Sequence, residues 1–443
     1  MDQGENQESS IAPKAGKPGS LLVIFLTVFI DLLGFGIVLP LLPIYADQFG
    51  EDPSGWMIGL LMASFSIMQF IFAPIWGALS DRIGRRPVIM VGLTGSVVFY
   101  TCFGIATIYQ SLLGLFITRI GAGIAGATLS TAQAYIADTT ENENRARGMA
   151  MIGMAFGLGF TLGPLFAVFA VPSGEDSIPG PWPGFVAAIL SGIALLLAVF
   201  LLPESLARGS MSKANSGGGW WNRDRWKIAF SSKAITVLLF AFFVCIFSFT
   251  SLETTLSMLI KGSKDFENPP FEFSFTNVCL TFALIGFLAA IVQGGVVRPL
   301  AKFIPENRLA ISGATIEIAG FAIMAFAASS GSILWLFGAL AIIVCGDACL
   351  RPNLYSLLSR WSDPSRQGTV LGVGQSVNAL ARILGAAIGI PMLKASFLLP
   401  FGLPYVVSSV LMIAVAGLVV VATKHGRDFE FGPGSNSSNE SLN

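Results

Sequence analysis

Twelve stretches of this chain are each long and apolar enough to cross a lipid bilayer, and no other property limits its fold so severely. A membrane helix needs about 20 mostly apolar residues, because in hydrocarbon every backbone N–H and C=O must be satisfied within the helix. Such stretches run 21–45, 56–79, 87–108, 112–137, 148–171, 183–202, 233–260, 274–297, 309–328, 332–358, 368–393 and 399–422. Charged residues make up only 12% of the 443 positions, against roughly 25% in soluble domains. An all-α membrane protein is therefore expected, embedded in lipid rather than folded in water.

The cations orient the spans. Lysine and arginine accumulate in the cytoplasmic loops of membrane proteins. Of the 26 basic residues, Lys261, Lys264 and Lys394 fall on one side, and Arg119, Arg351 and Arg382 fall within spans; the remaining 20 lie on the side of both chain ends. Both ends are thus expected in the cytoplasm, with the protein in the cell membrane. Residues 1–20 read as a disordered cytoplasmic tail and 424–443 as a second one. The longest internal loop, 203–232, reads as a cytoplasmic linker dividing six spans (21–202) from six more (233–423).

The two halves repeat. At an offset of 222 residues, Asp31 meets Glu253, Arg86 meets Arg308 and Gly163 meets Gly385. Parallel repeats about an axis along the membrane normal describe a large transporter fold, with its binding site between the halves near the midplane. The expected architecture is two pseudo-symmetric six-helix bundles.

Several function classes are excluded. With 26 basic and 26 acidic residues the net charge is zero, so nothing points to nucleic acid. The one histidine, His425, lies at the C-terminal end, and the five cysteines (Cys102, Cys245, Cys279, Cys345, Cys349) read as small core residues. No metal, cofactor or catalytic constellation is expected, so the chain does not read as an enzyme. A nucleotide-binding G-x-x-x-x-G-K-[ST] loop is missing from the sequence, which disfavours ATP-driven transport.

Four motifs carry a family resemblance. Gly77-Ala-Leu-Ser-Asp81-Arg82-Ile-Gly84-Arg85-Arg86-Pro87 follows the second span, and Asp31-Leu-Leu-Gly34-Phe-Gly36-Ile-Val-Leu-Pro40 occupies the first. Arg119-Ile-Gly-Ala-Gly123-Ile-Ala-Gly126 lies in the fourth, which ends Tyr135-Ile-Ala-Asp138, and Gly159-Phe-Thr-Leu-Gly163-Pro164 lies in the fifth. Together they resemble the major facilitator superfamily, and within it the drug/proton antiporters typified by the tetracycline efflux proteins. The resemblance implies proton-coupled efflux of a small hydrophobic or drug-like molecule by alternating access, in a monomer whose partners are cargo, protons and lipid. An uptake or exchange carrier for a metabolite is the alternative on the same scaffold, and a non-transporting receptor a weaker one. The sequence departs from the tetracycline exporters at Phe99 and Ala289, where they resemble each other in carrying Asp and His; the ninth-span carboxylate is kept in kind as Glu317. In the fifth-span motif, Ala167 and Val168 stand where two glycines are expected.

Physical chemistry assigns provisional roles. A mid-span charge costs at least roughly 2.5–3.5 kcal/mol unless paired or solvated. Desolvation favours a neutral carboxyl and a nearby cation favours the charged one, so a conformational change that alters either can load or unload a proton. Asp31 is the candidate proton carrier and Arg119, which keeps its proton, its partner; the competing reading is a fixed ion pair joining two helices. Gly77, Asp81, Arg82, Gly84, Arg85 and Arg86 form a candidate gating loop, whose arginines also fix topology. The equivalent loop of the second half has Phe303 in place of the aspartate, so an asymmetric latch is expected. Gln133, Glu253, Glu317, Gln375, Asn378 and Arg382 are candidates for the cargo cavity, with Arg382 suited to an anion and Glu253 or Glu317 to a cation or neutral drug. Asp347 and Arg351, four residues apart, suit an intrahelical pair. Gly159, Gly163 and Pro164 suit either a hinge or a packing notch.

Overall fold

The computed structural model describes residues 20–140, 145–172, 179–205, 227, 230, 232–266, 268–362, 367–395 and 401–426. The expected tails, apart from their first or last residues next to the bundle, and most of the linker lie outside the described residues.

The helices follow the apolar stretches closely. They are α1 (Ser20–Val38, resuming as Leu42–Phe49), α2 (Trp56–Ile83), α3 (Arg85–Ile108), α4 (Leu112–Gly126, resuming as Leu129–Thr139), α5 (Arg145–Ala167) and α6 (Trp182–Leu201). In the second half they are α7 (Lys233–Lys261), α8 (Phe275–Ile291, continuing to Leu300), α9 (Glu306–Ser330), α10 (Ile333–Arg360), α11 (Gln367–Lys394) and α12 (Leu403–His425). Eleven of them are long and apolar enough to cross a membrane, and α5 contributes a shorter apolar stretch, Met151–Ala167.

Four details depart from the sequence reading, each for a local reason. The first span is broken at residues 39–41: Pro40 has no N–H to donate, and Pro43 restarts the helix near its N-terminus. The fourth span is broken at Ala127 and Thr128, where the Thr128 hydroxyl donates to the Ala125 carbonyl at 2.9 Å. In α8 a π-helical turn covers Val292–Val297, around the adjacent glycines Gly294 and Gly295. The expected loop 77–87 is helical except for Gly84, whose φ of 106° turns the chain from α2 directly into α3.

The packing repeats between halves. In the first half α1 packs on α5 and α6, and α3 packs on α4 and α6; in the second, α7 packs on α11 and α12, and α9 packs on α10 and α12. Shifted by six helices, each of these contacts maps onto its counterpart. Glycines permit the close approaches. A Cβ on Gly36 of α1 would lie 2.6 Å from the Gly159 carbonyl oxygen of α5, and one on Gly385 of α11 would lie 2.7 Å from the Phe247 carbonyl oxygen of α7.

The halves meet through α2 against α11 and α5 against α8, again a symmetric pair. Among the described residues, their close glycine approaches run from mid-span toward the face opposite the α2–α3 turn. Near the face opposite the α2–α3 turn, Cβ atoms on Gly59 and Gly286 would collide with Ala387 and Thr161 across the interface. Toward the face of the α2–α3 turn, Cβ atoms on Gly77, Gly157, Gly294 and Gly372 would have nothing within 4 Å. The two bundles therefore close at this far face and part toward the basic face, the one rich in lysine and arginine.

Candidate functional site

Between the halves lies a small cavity of about 20 Å³, lined by Phe35, Leu39, Met62, Phe65, Ser66 and Arg119 from the first half and Thr250, Glu253, Thr254, Arg382 and Ala386 from the second. Free space of that size holds about one water molecule, so at this depth the interface is nearly closed. Three of the lining groups carry charge in an otherwise apolar wall.

Arg119 is 2% exposed. Its guanidinium carbon stands 4.5 Å from the centre of the Phe65 ring and 5.6 Å from that of Phe35. The two rings pack against each other at 4.9 Å. Their π faces stabilise the buried cation, while Nε and Nη1 have no hydrogen-bond partner among the described residues. Across the cavity, Arg382 of α11 stands 3.8 Å from the Glu253 carboxylate of α7, a stretched ion pair. The cavity thus carries one cation more than it has anions to match.

The expected pair between Asp31 and Arg119 is not formed. Asp31 points instead into its own half, where the buried Ser191 hydroxyl of α6 donates to it at 2.8 Å and Ser96 of α3 lies alongside. Arg119 turns away to the cavity because Phe35 and Phe65 offer it aromatic faces there. Tyr100, 5% exposed, lies within electrostatic reach of both groups.

Of the other cavity candidates, Glu253 and Arg382 line the cavity and Gln133, Glu317, Gln375 and Asn378 do not. Asn378 donates to the Tyr355 hydroxyl at 3.3 Å, with Gln375 beside the same hydroxyl, and both face the α10 side of α11. Glu317, 1% exposed, is held inside the second half against Gly346, whose added Cβ would lie 2.6 Å from the Glu317 side chain. Asp347 and Arg351 pair as expected, through Nε at 2.9 Å and Nη2 at 2.5 Å, with the guanidinium over Phe249. Cys245 joins Glu317 and Asp347 so that their ligand atoms lie within 4.8 Å of one another. That grouping was hidden in the sequence because its members come from three helices. Arg351 already supplies a countercharge there.

The gating motif is a knot inside the first half. Arg85, 8% exposed, binds Asp81 at 2.6 Å, Asp138 at 3.0 Å and the Ser80 hydroxyl at 2.6 Å. Arg86 donates to the Val199 carbonyl at 2.5 Å, and Arg82 is exposed. Glu204, just after α6, accepts from the backbone N–H groups of Arg85 and Arg86 at 2.9 and 3.1 Å, and so caps α3. It was missed in the sequence because it lies more than a hundred residues from the helix it caps. The second half has a simpler counterpart, Arg360 to Glu306 at 2.9 Å. Phe303 is 84% exposed, so the two loops differ as expected. In the fifth-span motif, Gly163 is buried against Gly36, which makes it a packing notch. Phe99, at one of the two departures from the tetracycline exporters, packs on α4, where a Cβ on Gly121 would collide with its ring.

Comparison with known proteins agrees with this geometry. The sequence model of the Major Facilitator Superfamily matches residues 24–386. The class C tetracycline resistance protein of Escherichia coli is 32% identical over 395 residues, covering 89% of this chain and 94% of that one. The mouse major facilitator superfamily domain-containing protein 10 is 27% identical, covering 90% and 95%. Among solved structures, the human organic anion transporter MFSD10 superposes with a TM-score of 0.67 at 26% identity, over 90% of this chain and 98% of that one. A D-xylose-proton symporter superposes with a TM-score of 0.69 at 17% identity, over 92% and 98%.

Proposed function

The chain belongs to the major facilitator superfamily, a multi-pass membrane transporter rather than an enzyme, and from that premise we propose that it is a proton-coupled antiporter expelling small, largely apolar, drug-like molecules. Both chain ends lie in the cytoplasm, by the basic bias of that face. The form described here is then open to the cytoplasm and closed outside, ready to load cargo from within.

One observation carries the coupling. Asp31 sits one layer behind the cavity, held by Ser191, with the buried Tyr100 within electrostatic reach of both Asp31 and Arg119, whose Nε and Nη1 have no partner among the described residues. When Asp31 is charged it offsets Arg119, and a cargo without negative charge can enter. When Asp31 is protonated the cavity is more positive; a cationic cargo is then repelled, and a neutral one is disfavoured because it would strip water from an uncompensated guanidinium. Proton and cargo then exclude each other, which is the linkage that exchange requires. In proteoliposomes, Asp31→Asn is expected to keep downhill exchange of cargo and lose accumulation driven by a pH gradient. Full gradient-driven transport by Asp31→Asn would refute the assignment.

A second reading has its own support. Two nitrogens of Arg119 have no partner, and the chain is similar to a protein described as an organic anion transporter. A negative cargo on Arg119 reverses the linkage: it binds better when Asp31 is protonated, and cargo and proton travel together. The sign of the pH effect on cargo binding separates the two. Weaker binding at low pH supports exchange, and stronger binding supports the anion carrier.

A further inference from the structure

The far face is closed by a network that no motif announces. Lys394, the last residue of α11, has a side chain only 3% exposed. Its ammonium contacts the Asp47 carboxylate at 3.1 Å, the Asp265 carboxylate at 2.6 Å and the Asp52 carbonyl at 2.7 Å. Three acceptors match the three N–H donors of an ammonium. Asp47, on the short second piece of α1 and 4% exposed, also accepts from the Ser263 hydroxyl at 2.7 Å and the Lys264 backbone N–H at 3.0 Å. Asp47 and Asp52 belong to the first half; Ser263, Lys264, Asp265 and Lys394 belong to the second.

The basic face offers no counterpart among the described residues. Its ion pairs, Arg85 with Asp81 and Asp138, and Arg360 with Glu306, each stay within one half. Among the described residues, the polar bonds between halves are therefore concentrated at the far face. The Lys394–Asp47 pair is charge-assisted and nearly dry, with side chains 3% and 6% exposed, the setting in which such bonds are strongest and breaking them leaves charges unsolvated; Asp265 is part-exposed, its side chain at 29%.

We infer that Lys394 is the latch that holds the far gate shut and sets the balance between the two access states. Opening the far face must separate Lys394 from Asp47 and Asp52, with Asp265 left as its remaining partner on the same half. The latch acts on the conformational equilibrium and is independent of cargo and of coupling sense.

The test is electron–electron distance measurement on the full chain in nanodiscs, with spin labels placed by chemistry that leaves the five cysteines in place. One label pair, at Tyr109 and Leu334, reports the far face; a second, at Ile83 and Phe303, reports the basic face. All four side chains are exposed. Lys394→Met is expected to shift the equilibrium about tenfold or more toward far-open. The Tyr109–Leu334 distances should lengthen while the Ile83–Phe303 distances shorten. Folded Lys394→Met with both distributions as in the wild type overturns the inference. If Lys394→Met is not recovered folded, Asp47→Asn, which weakens the ion pair across the halves, takes its place: a shift in the same direction supports the latch, and unchanged distributions overturn it.

Discussion

Two substitutions of the same kind in one helix should have opposite effects, and the difference can be worked out from the contacts. A Cβ on Gly163 would lie 2.6 Å from the Cα of Gly36, 2.8 Å from its carbonyl carbon and 3.0 Å from the Leu33 carbonyl oxygen. All three are backbone atoms, so no side chain can rotate out of the way, and α1 and α5 must separate by several tenths of an ångström. Overpacking of this sort costs roughly 1–3 kcal/mol. A Cβ on Gly157 would have nothing within 4 Å. Both changes replace glycine by alanine in α5, so the gain of about 0.5–1 kcal/mol in helix propensity is common to both and cancels in the comparison. Gly157→Ala should therefore exceed Gly163→Ala in stability by roughly 1–3 kcal/mol, the overpacking cost alone. Unfolding by sodium dodecyl sulfate in mixed micelles, followed by circular dichroism, measures it. The expected order is Gly157→Ala, then wild type, then Gly163→Ala. If Gly163→Ala is as stable as Gly157→Ala, the notch is not tight and the motif acts as a hinge.

The same unfolding assay reaches two other sites. Glu317 lies beside the Asp347–Arg351 pair, buried and with Oε1 unpartnered among the described residues; Glu317→Gln should hold or raise stability, while Asp347→Asn, which strands Arg351, should lower it by about 1–3 kcal/mol. The reverse order would contradict the charge accounting. Glu204→Ala removes the acceptor for two backbone N–H groups at the start of α3 and should cost about 1 kcal/mol, whereas an unchanged midpoint would show that solvent replaces the cap without loss.

What the sequence made legible was what the membrane enforces. Span positions followed from the need to satisfy the backbone in hydrocarbon, and the 222-residue offset reappears as matching helix contacts in the two halves. Depth along a helix was readable, but direction around it was not. Asp31 and Arg119 were both placed mid-span, yet one faces Ser191 and the other the aromatic rings of the cavity. Glu317 likewise shares the depth of a cavity residue while facing Gly346. The break after Val38 is carried by Pro40, which sits in a stretch apolar on both sides and so reads as part of one span, 21–45. Lys394 reads in the sequence only as one of three basic residues on the far side, and residues 347 apart give no local sign that it meets Asp47. Glu204 was obscured in the same way.

The account turns on exchange of a proton for cargo through one cavity, and internal pH reports that directly. The wild-type protein is reconstituted into vesicles containing a pH-sensitive dye, a panel of neutral, cationic and anionic aromatic compounds is added one at a time, and the dye is followed as each compound moves. The account predicts that at least one neutral or cationic compound drives protons in the direction opposite to its own movement, and that Asp31→Asn abolishes the signal. Cargo movement that leaves the internal pH unchanged, or that carries protons in its own direction for every transported compound, would contradict it.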